Sequence, residues 1–196
     1  MDLSELDDDA LLALAQKALE GDLRPFDVLV ERNQGWVRAN CRQLTRSGEE
    51  EDLAQEVFIK AYFGLQRFEG RSSFKTWIAR IKGNHCMNHI RKMGARPRAD
   101  RDLDQISEQQ VAVDPRAPKR IHADDERRRI DKILEGMSET LRVPLILRDM
   151  DEMSYQEIAN VLGAGLSAVK MRIKRARSEF RERLRDAATE PECEDS

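Results

Sequence analysis

The stretch Met153–Arg185, MSYQEIANVLGAGLSAVKMRIKRARSEFRERLR, constrains this chain most. Ser154 is followed three residues later by Glu157, the capping-box spacing, in which each side chain satisfies a backbone NH at a helix start. Tyr155, Ile158, Ala159 and Leu162 mark one face of a short helix. Gly163 stands where a helix end favours a residue that tolerates left-handed backbone. After Ala164, Gly165 and Leu166, Ser167 is placed to cap a second helix that carries Val169, Ile173, Ala176 and Phe180 inward. Two helices joined by a tight glycine-containing turn predict a helix-turn-helix.

The second helix is strongly basic. Lys170, Arg172, Lys174, Arg175, Arg177, Arg181, Arg183 and Arg185 face only Glu179, Glu182 and Asp186, and no acid precedes Glu179. A recognition helix contacts base edges with its N-terminal part and needs cations beside the phosphates. DNA binding is therefore expected, in preference to a merely solvated Arg-rich helix. The whole chain carries a net charge of −3, so the positive charge is local and acidic surface lies elsewhere, available to a protein partner.

Upstream, Asp7, Asp8 and Asp9 precede a helical stripe of Leu11, Leu12, Leu14, Ala15, Ala18 and Leu19; acids at that end suit the helix dipole. Gly21 can end this helix. Pro25 suits the first turn of the next, whose inward positions are Phe26, Leu29, Val30, Val37, Cys41 and Leu44. Cys41 thus reads as a buried structural thiol. Ser47-Gly48 break the pattern. A third helix spans Glu49–Phe63, with Leu53, Val57, Phe58, Ala61, Tyr62 and Leu65 as its core stripe. Asp52, Gln55, Glu56, Ile59 and Phe63 then face outward. Acids interspersed with two large apolar groups suit a protein interface; spacing alone equally allows Ile59 and Phe63 to pack under a neighbouring loop.

Gln66–Ser73 reads as a loop around Gly70, and Phe74–Met93 as helix with Phe74, Trp77, Ile78 and Ile81 inward. Arg80, Asn84, Asn88 and Arg91 share another face, where amides and cations suit nucleic acid. His85 and His89 have metal-ligand spacing, but the intervening residues lack the glutamate of a metalloprotease motif and no third ligand is evident. Packing or surface histidines are favoured over a zinc site.

From Ala95 to about Asp124, prolines and alternating charges predict a flexible linker. Helical periodicity resumes at Glu126 with Ile130, Ile133, Leu134 and Met137. Ser138 can cap another helix, which Pro144 should bend. The acidic end, with Cys193, is expected to fray. Cys41, Cys86 and Cys193 form no CxxC motif, and no leader or membrane-spanning run is evident, so a reducing cytoplasmic setting is expected. The reading is all-α, with two small helical domains: residues 1–94, a flexible linker over 95–125, residues 126–186 with the helix-turn-helix, and an acidic tail over 187–196.

This order of segments resembles the extracytoplasmic-function (ECF) sigma factors of bacterial RNA polymerase, within the sigma-70 family. EDLAQEVFIKAY (Glu51–Tyr62) is similar to the region-two helix that binds the polymerase clamp. FEGRSSFKTWIARIKGNHCMNHIRK (Phe68–Lys92) is similar to the segment that opens and reads the −10 element. Leu141–Arg177 is similar to region four, which reads the −35 element. The resemblance implies core-polymerase contacts at Asp52, Gln55, Glu56, Ile59 and Phe63, deciding the open question in favour of an interface. It implies −10 contacts at Phe68, Arg71, Ser72, Arg80, Asn84, Asn88 and Arg91, with the Gln66–Ser73 loop pocketing a flipped base beside Asn84. It implies −35 contacts at Ser167, Lys170, Met171, Arg172, Lys174 and Arg175. Three features depart from the family pattern: Asn88 in place of a common Asp, Pro144 in place of a helix former, and Ser167-Ala168 in place of Gly-Thr. The expected partners are core polymerase, promoter DNA and an anti-sigma factor, with no direct membrane insertion. No cofactor, metal or catalytic residue is expected. The rival functions are an autonomous helix-turn-helix regulator, which would need neither the outward α-helical face at Asp52–Phe63 nor the aromatic loop before Phe74, and a metal-dependent enzyme using His85 and His89.

Overall fold

Regular structure is entirely helical among the residues that the computed structural model describes, 2–18, 21–95 and 118–189. In chain order the helices are α1 (Asp8–Lys17), α2 (Arg24–Thr45), α3 (Glu50–Gly64), α4 (Phe74–Ala95), α5 (Pro118–Gly136), α6 (Glu139–Leu145), α7 (Tyr155–Leu162) and α8 (Leu166–Thr189). Helices α1–α4 make one half and α5–α8 the other. The central part of the expected linker (96–117), the end of the expected tail (190–196, with Cys193) and Leu19 lie outside the described residues.

The helix ends follow local chemistry. Asp7 caps α1 by accepting from the Ala10 N–H at 2.7 Å. Ser154 and Glu157 complete the capping box of α7 in both directions, and Gly163 ends that helix at φ 63°, in the left-handed region.

Three boundaries differ from the sequence reading. Helix α5 starts at Pro118, well inside the stretch read as linker. Proline is favoured at a first helical position because its missing N–H has no partner there anyway. Helix α8 begins at Leu166, so Ser167 lies inside the first turn instead of capping it, and its other end carries residues 187–189, expected as tail. Ser138 occupies the cap position of α6 without a side-chain bond. Pro144 lies inside α6 and cannot donate to the carbonyl one turn back; the chain then widens into a π-helical turn over Ile146–Met150.

The expected core stripes are buried: Leu11, Leu12 and Ala15 on α1, Leu29, Val37, Cys41 and Leu44 on α2, Leu53, Val57, Phe58 and Ala61 on α3, and Phe74 and Ile78 on α4. In the second half Val169, Ile173 and Ala176 of α8 pack with Ile158, Ala159 and Val161 of α7. One apolar cluster runs through both halves, and α4 lies against α7. Gly83 makes the close approach possible. A Cβ there would stand 3.2 Å from Leu147 Cδ2 and 3.8 Å from both Met153 Sδ and Val161 Cγ1.

A buried ion pair spans this seam. Lys82 Nζ on α4 donates to Asp151 Oδ1, beyond the π turn, at 2.6 Å, and both side chains have 0% exposure. Asn40 Nδ2 on α2 donates to the same oxygen at 2.6 Å. Trp36 lies under the ammonium, 4.4 Å from ring centre to Nζ. Burial pushes the Lys82 pKa down and the Asp151 pKa up, and the opposite charge of each partner resists both shifts. Three arginines also bond between the halves: Arg46 donates to Leu134 O at 2.5 Å, Arg42 pairs with Asp131 at 2.9 Å, and Arg142 donates to Leu44 O at 3.3 Å.

Candidate polymerase and nucleic-acid interfaces

The outward face of α3 is a protein-sized surface. Asp52, Gln55, Glu56, Ile59 and Phe63 are all exposed, while Leu53, Val57, Phe58 and Ala61 hold the helix to the core from behind. Ile59 is 49% exposed and Phe63 75%, so neither packs under a loop, the alternative that spacing had left open. Phe63 leans edge-on against Tyr62, with ring centres 5.6 Å apart. An exposed Phe and Ile ringed by carboxylates and an amide can bury apolar area in a partner while the acids select basic surface around it.

His85 and His89 of α4 face the acids of α3. Their Nε2 atoms lie 3.2 Å from Glu56 Oε2 and 3.4 Å from Glu49 Oε2, respectively. Burial lowers the His85 pKa, and Lys60 adds to the effect. Among the described residues, no group of three or more His, Cys, Asp or Glu gathers to hold a metal ion.

The loop before α4 frames a cleft of about 410 Å³ lined by residues that include Phe68, Arg71, Ser72 and Ser73. Its other wall is α1, through Asp9, Leu12, Ala13 and Gln16. The loop is anchored to α1 at both ends. Gln16 Nε2 donates to Leu65 O at 2.9 Å and to Phe68 O at 2.8 Å, and Asp9 Oδ1 accepts from the Phe74 N–H at 2.7 Å. Phe68 packs on Trp77 with ring centres 4.9 Å apart. Gly70, at φ 69°, supplies the left-handed turn, and Arg71 pairs with Glu69. Sequence reasoning missed Asp9 and Gln16 here; a carboxylate and an amide on the N-terminal helix carry no local sign of a loop 49 to 65 residues away.

The polar stripe of α4 is partly engaged by the other half of the molecule. Asn84 and Asn88 are exposed, and Asn84 Nδ2 donates to Arg80 O at 3.0 Å. Arg80 pairs with Glu157 of α7, while Arg91 donates to Val161 O at 2.7 Å and to Asn88 Oδ1 at 3.1 Å. Two of the four stripe residues therefore contact the helix-turn-helix. Sequence reasoning also missed Lys82 and Asp151. The signal for Lys82 was a lysine set in the i, i+4 apolar row Phe74, Ile78, Lys82, Cys86.

On α8, Ser167, Lys170, Met171, Lys174 and Arg175 are exposed and Arg172 is half-buried. Met171 is 51% exposed, an apolar group among cations. Lys170 Nζ lies 5.9 Å from the Tyr155 ring centre. Arg177 is held away from this face in a forked pair with Asp149, its Nε 2.9 Å from Oδ2. The exposed cations thus sit on the first turns of the second helix, the part that enters a major groove in this motif.

A helix-turn-helix with a basic second helix, joined to a helical half that displays an acidic and apolar face, suits a DNA-binding protein that also docks on another protein. Residues 29–96 match the family model for sigma-70 region 2, and residues 127–180 match that for sigma-70 region 4. The chain is 34% identical over 170 residues to the ECF RNA polymerase sigma-E factor of Escherichia coli, covering 84% of this chain and 88% of that protein. It is 34% identical over 170 residues to the RNA polymerase sigma-H factor of Pseudomonas aeruginosa, with the same two coverages, 84% and 88%. Among solved structures, CnrH in complex with the cytosolic domain of CnrY matches 93% of this chain and 100% of that chain, with a TM-score of 0.55 and 26% identity. The sigma factor RpoE in complex with the anti-sigma factor NepR from Bartonella quintana matches 82% and 96%, with a TM-score of 0.57 and 27% identity. The chain belongs to the ECF family of RNA polymerase sigma factors. It is a transcription-initiation factor: it directs RNA polymerase to promoters.

Proposed function

We propose that residues 1–94 bind core polymerase and open the −10 element, and that residues 126–186 read the −35 element. The observation that carries this reading is the uninterrupted exposed stripe Asp52, Gln55, Glu56, Ile59 and Phe63 on a helix otherwise fixed in the core. An autonomous DNA-binding regulator has no use for such a face. The α3 stripe seats on the largest polymerase subunit. Phe68, Arg71 and Ser72 enclose an extruded base in the cleft against α1. Asn84 and Asn88 meet neighbouring base edges, and Arg80 and Arg91 meet phosphates. Flipping a base costs a few kcal/mol, roughly, which a polar and stacked pocket offsets. Lys170, Met171, Lys174 and Arg175 enter the −35 major groove, with Ser167 and Arg172 on the backbone.

Arg80 and Arg91 cannot meet DNA while they hold α7. Promoter binding therefore requires the two halves to part. The two structural relatives named above were each captured with another protein, in one case a named anti-sigma factor. We propose that an anti-sigma factor likewise holds this chain inactive. The polymerase performs the chemistry, and this protein is not an enzyme. No helix among the described residues is long and apolar enough to cross a membrane; the cytoplasm, where the polymerase works, is the proposed location. Transcription by purified core polymerase on a promoter library tests the reading. The protein should direct initiation at a defined set of sequences, and Asp52→Arg with Glu56→Arg should lose core binding while circular dichroism stays unchanged. Tight, sequence-specific binding of duplex DNA without polymerase, and no effect on transcription by core enzyme, would replace it with the autonomous regulator.

A further inference from the structure

We propose that Cys41 and Cys86 are a disulfide-forming pair, a modification site that takes a hydroperoxide as its two-electron oxidant, and that the seam between the two halves guards it. The cysteines are 45 residues apart in sequence, on α2 and α4, and Cys86 Sγ donates to Cys41 Sγ at 3.6 Å. Both side chains have 0% exposure. A disulfide requires the sulfurs to close to about 2.05 Å, so a shift of roughly 1.5 Å completes the bond.

The surroundings differ from those of two thiols filling an apolar core. Cys41 adjoins Asn40, and Cys86 lies one helical turn beyond Lys82; Asn40 and Lys82 are the two residues that grip Asp151 of the opposite half. The charges of Lys82 and Asp151 act on both thiols. The two thiols are also unequal. The hydrogen bond from Cys86 lowers the Cys41 pKa, against the upward push of burial and with help from Lys82. The same bond and burial raise the Cys86 pKa well above the ordinary thiol range. The Lys82 charge favours the thiolate of either sulfur, and the thiolate is the nucleophile; where Cys41 attacks, Cys86 resolves.

The chemistry balances with peroxide as the only co-reactant. The Cys41 thiolate attacks one peroxide oxygen, an S–O bond forms, the O–O bond breaks, and hydroxide leaves to take up a proton as water. Cys86 then attacks the sulfenyl sulfur of Cys41. The S–S bond forms, the S–O bond breaks, and the departing hydroxide takes the Cys86 proton to give a second water. Two electrons pass from the thiol pair to the peroxide. Both thiols are fully buried and lie close enough to Asp151 to feel its charge, so the reaction proceeds chiefly in molecules whose halves have parted, the conformation proposed to bind a promoter.

The test uses the full chain with Cys193→Ser, which leaves only the two cysteines in question. The folded protein is exposed to hydrogen peroxide, quenched with catalase, then denatured in N-ethylmaleimide and weighed intact. The expected product is lighter by two hydrogens, takes no maleimide, yields a tryptic peptide pair linked through residues 41 and 86, and returns to two alkylated thiols after dithiothreitol. Asp151→Ala in the same background should oxidise roughly tenfold faster or more, since it removes one member of a buried ion pair at the seam. The measurement retains both cysteines, so it does not depend on a cysteine-free core folding. Two alkylated thiols after peroxide, or sulfinic acids without a cross-link, would overturn the site. A linked pair that forms no faster in the Asp151 variant would overturn the guarding role of the seam.

Discussion

Replacing Asp151 by Ala should open the molecule without unfolding either half. The Lys82 ammonium is fully enclosed, and Asp151 is its counter-ion at 2.6 Å. Removing one partner of a buried pair costs about 3–5 kcal/mol, because the other charge is left without compensation. The Asn40 amide loses its acceptor in the same step, adding to the imbalance. The ion pair between α2 and α5 is weaker. Arg42–Asp131 is a partly exposed pair, with side-chain exposures of 43% and 23%, and such pairs contribute roughly 0–1 kcal/mol. A change of about 3–5 kcal/mol shifts the closed-to-open equilibrium by roughly 10²- to 10⁴-fold, since each 1.4 kcal/mol is a factor of ten. Small-angle scattering should report a larger radius of gyration at neutral pH, while circular dichroism retains its helical signal. The double variant Lys82→Met with Asp151→Leu should close again, because an apolar pair of similar volume often matches a buried ion pair in stability. An Asp151→Ala protein with an unchanged radius of gyration and an unchanged thermal midpoint would refute the view that this pair holds the halves together.

Lys170→Ala and Arg175→Ala should each reduce transcription from promoters with an intact −35 element. Loss of a base contact changes preference by about 1–3 kcal/mol at one position, whereas loss of a phosphate contact weakens all sequences alike, and a promoter library separates the two. Asn84→Ala should keep core binding and −35 recognition but populate the open complex less. Permanganate footprinting measures this, and a pre-melted −10 bubble should recover part of the activity; normal opening on a paired promoter would remove Asn84 from the reading. Partial burial works to raise the Glu157 carboxyl, but the Ser154 cap and Arg80 outweigh it and hold the group below its ordinary value of 4.5. A carboxylate depressed in the folded state contributes stability above its unfolded pKa and loses it as pH falls through the folded value. The stability advantage over Glu157→Gln should therefore be full at neutral pH and shrink below about pH 4 in chemical denaturation.

The helix-turn-helix was legible because its signals are local. Ser154 and Glu157 are three residues apart and bond to each other's backbone, and Gly163 adopts the left-handed backbone that its position requires. The α3 face was legible for a similar reason. A helical period sorts Leu53 and Val57 inward and Asp52 and Glu56 outward, without reference to any distant residue. The seam had no such signal. Asn40 and Lys82 lie 111 and 69 residues from Asp151 in sequence, and polar residues paired over that span leave no periodic trace. Composition misplaced the start of α5, because a charged, proline-containing run reads as linker although Pro118 is well suited to begin a helix. Ser167 misled in the opposite way. Its residue type favours a cap, but the turn after Gly163 closes two residues early, with the helix starting at Leu166.

Gly83 gives the closed conformation and the proposed open one opposite preferences at a single atom. Alanine there stabilises helix α4 by about 1 kcal/mol wherever the helix stands alone. In the closed molecule the same methyl arrives 3.2 Å from Leu147 Cδ2, inside a layer where Leu147 has 0% exposure and little room to retreat. One added carbon therefore acts as a shim. It strengthens the half proposed to bind polymerase and wedges that half away from its neighbour, without touching a charge, a proposed base contact or the proposed polymerase face. The absent side chain at position 83 thus sets how closely the two halves seat, much as a spacer sets the rest position of a hinge.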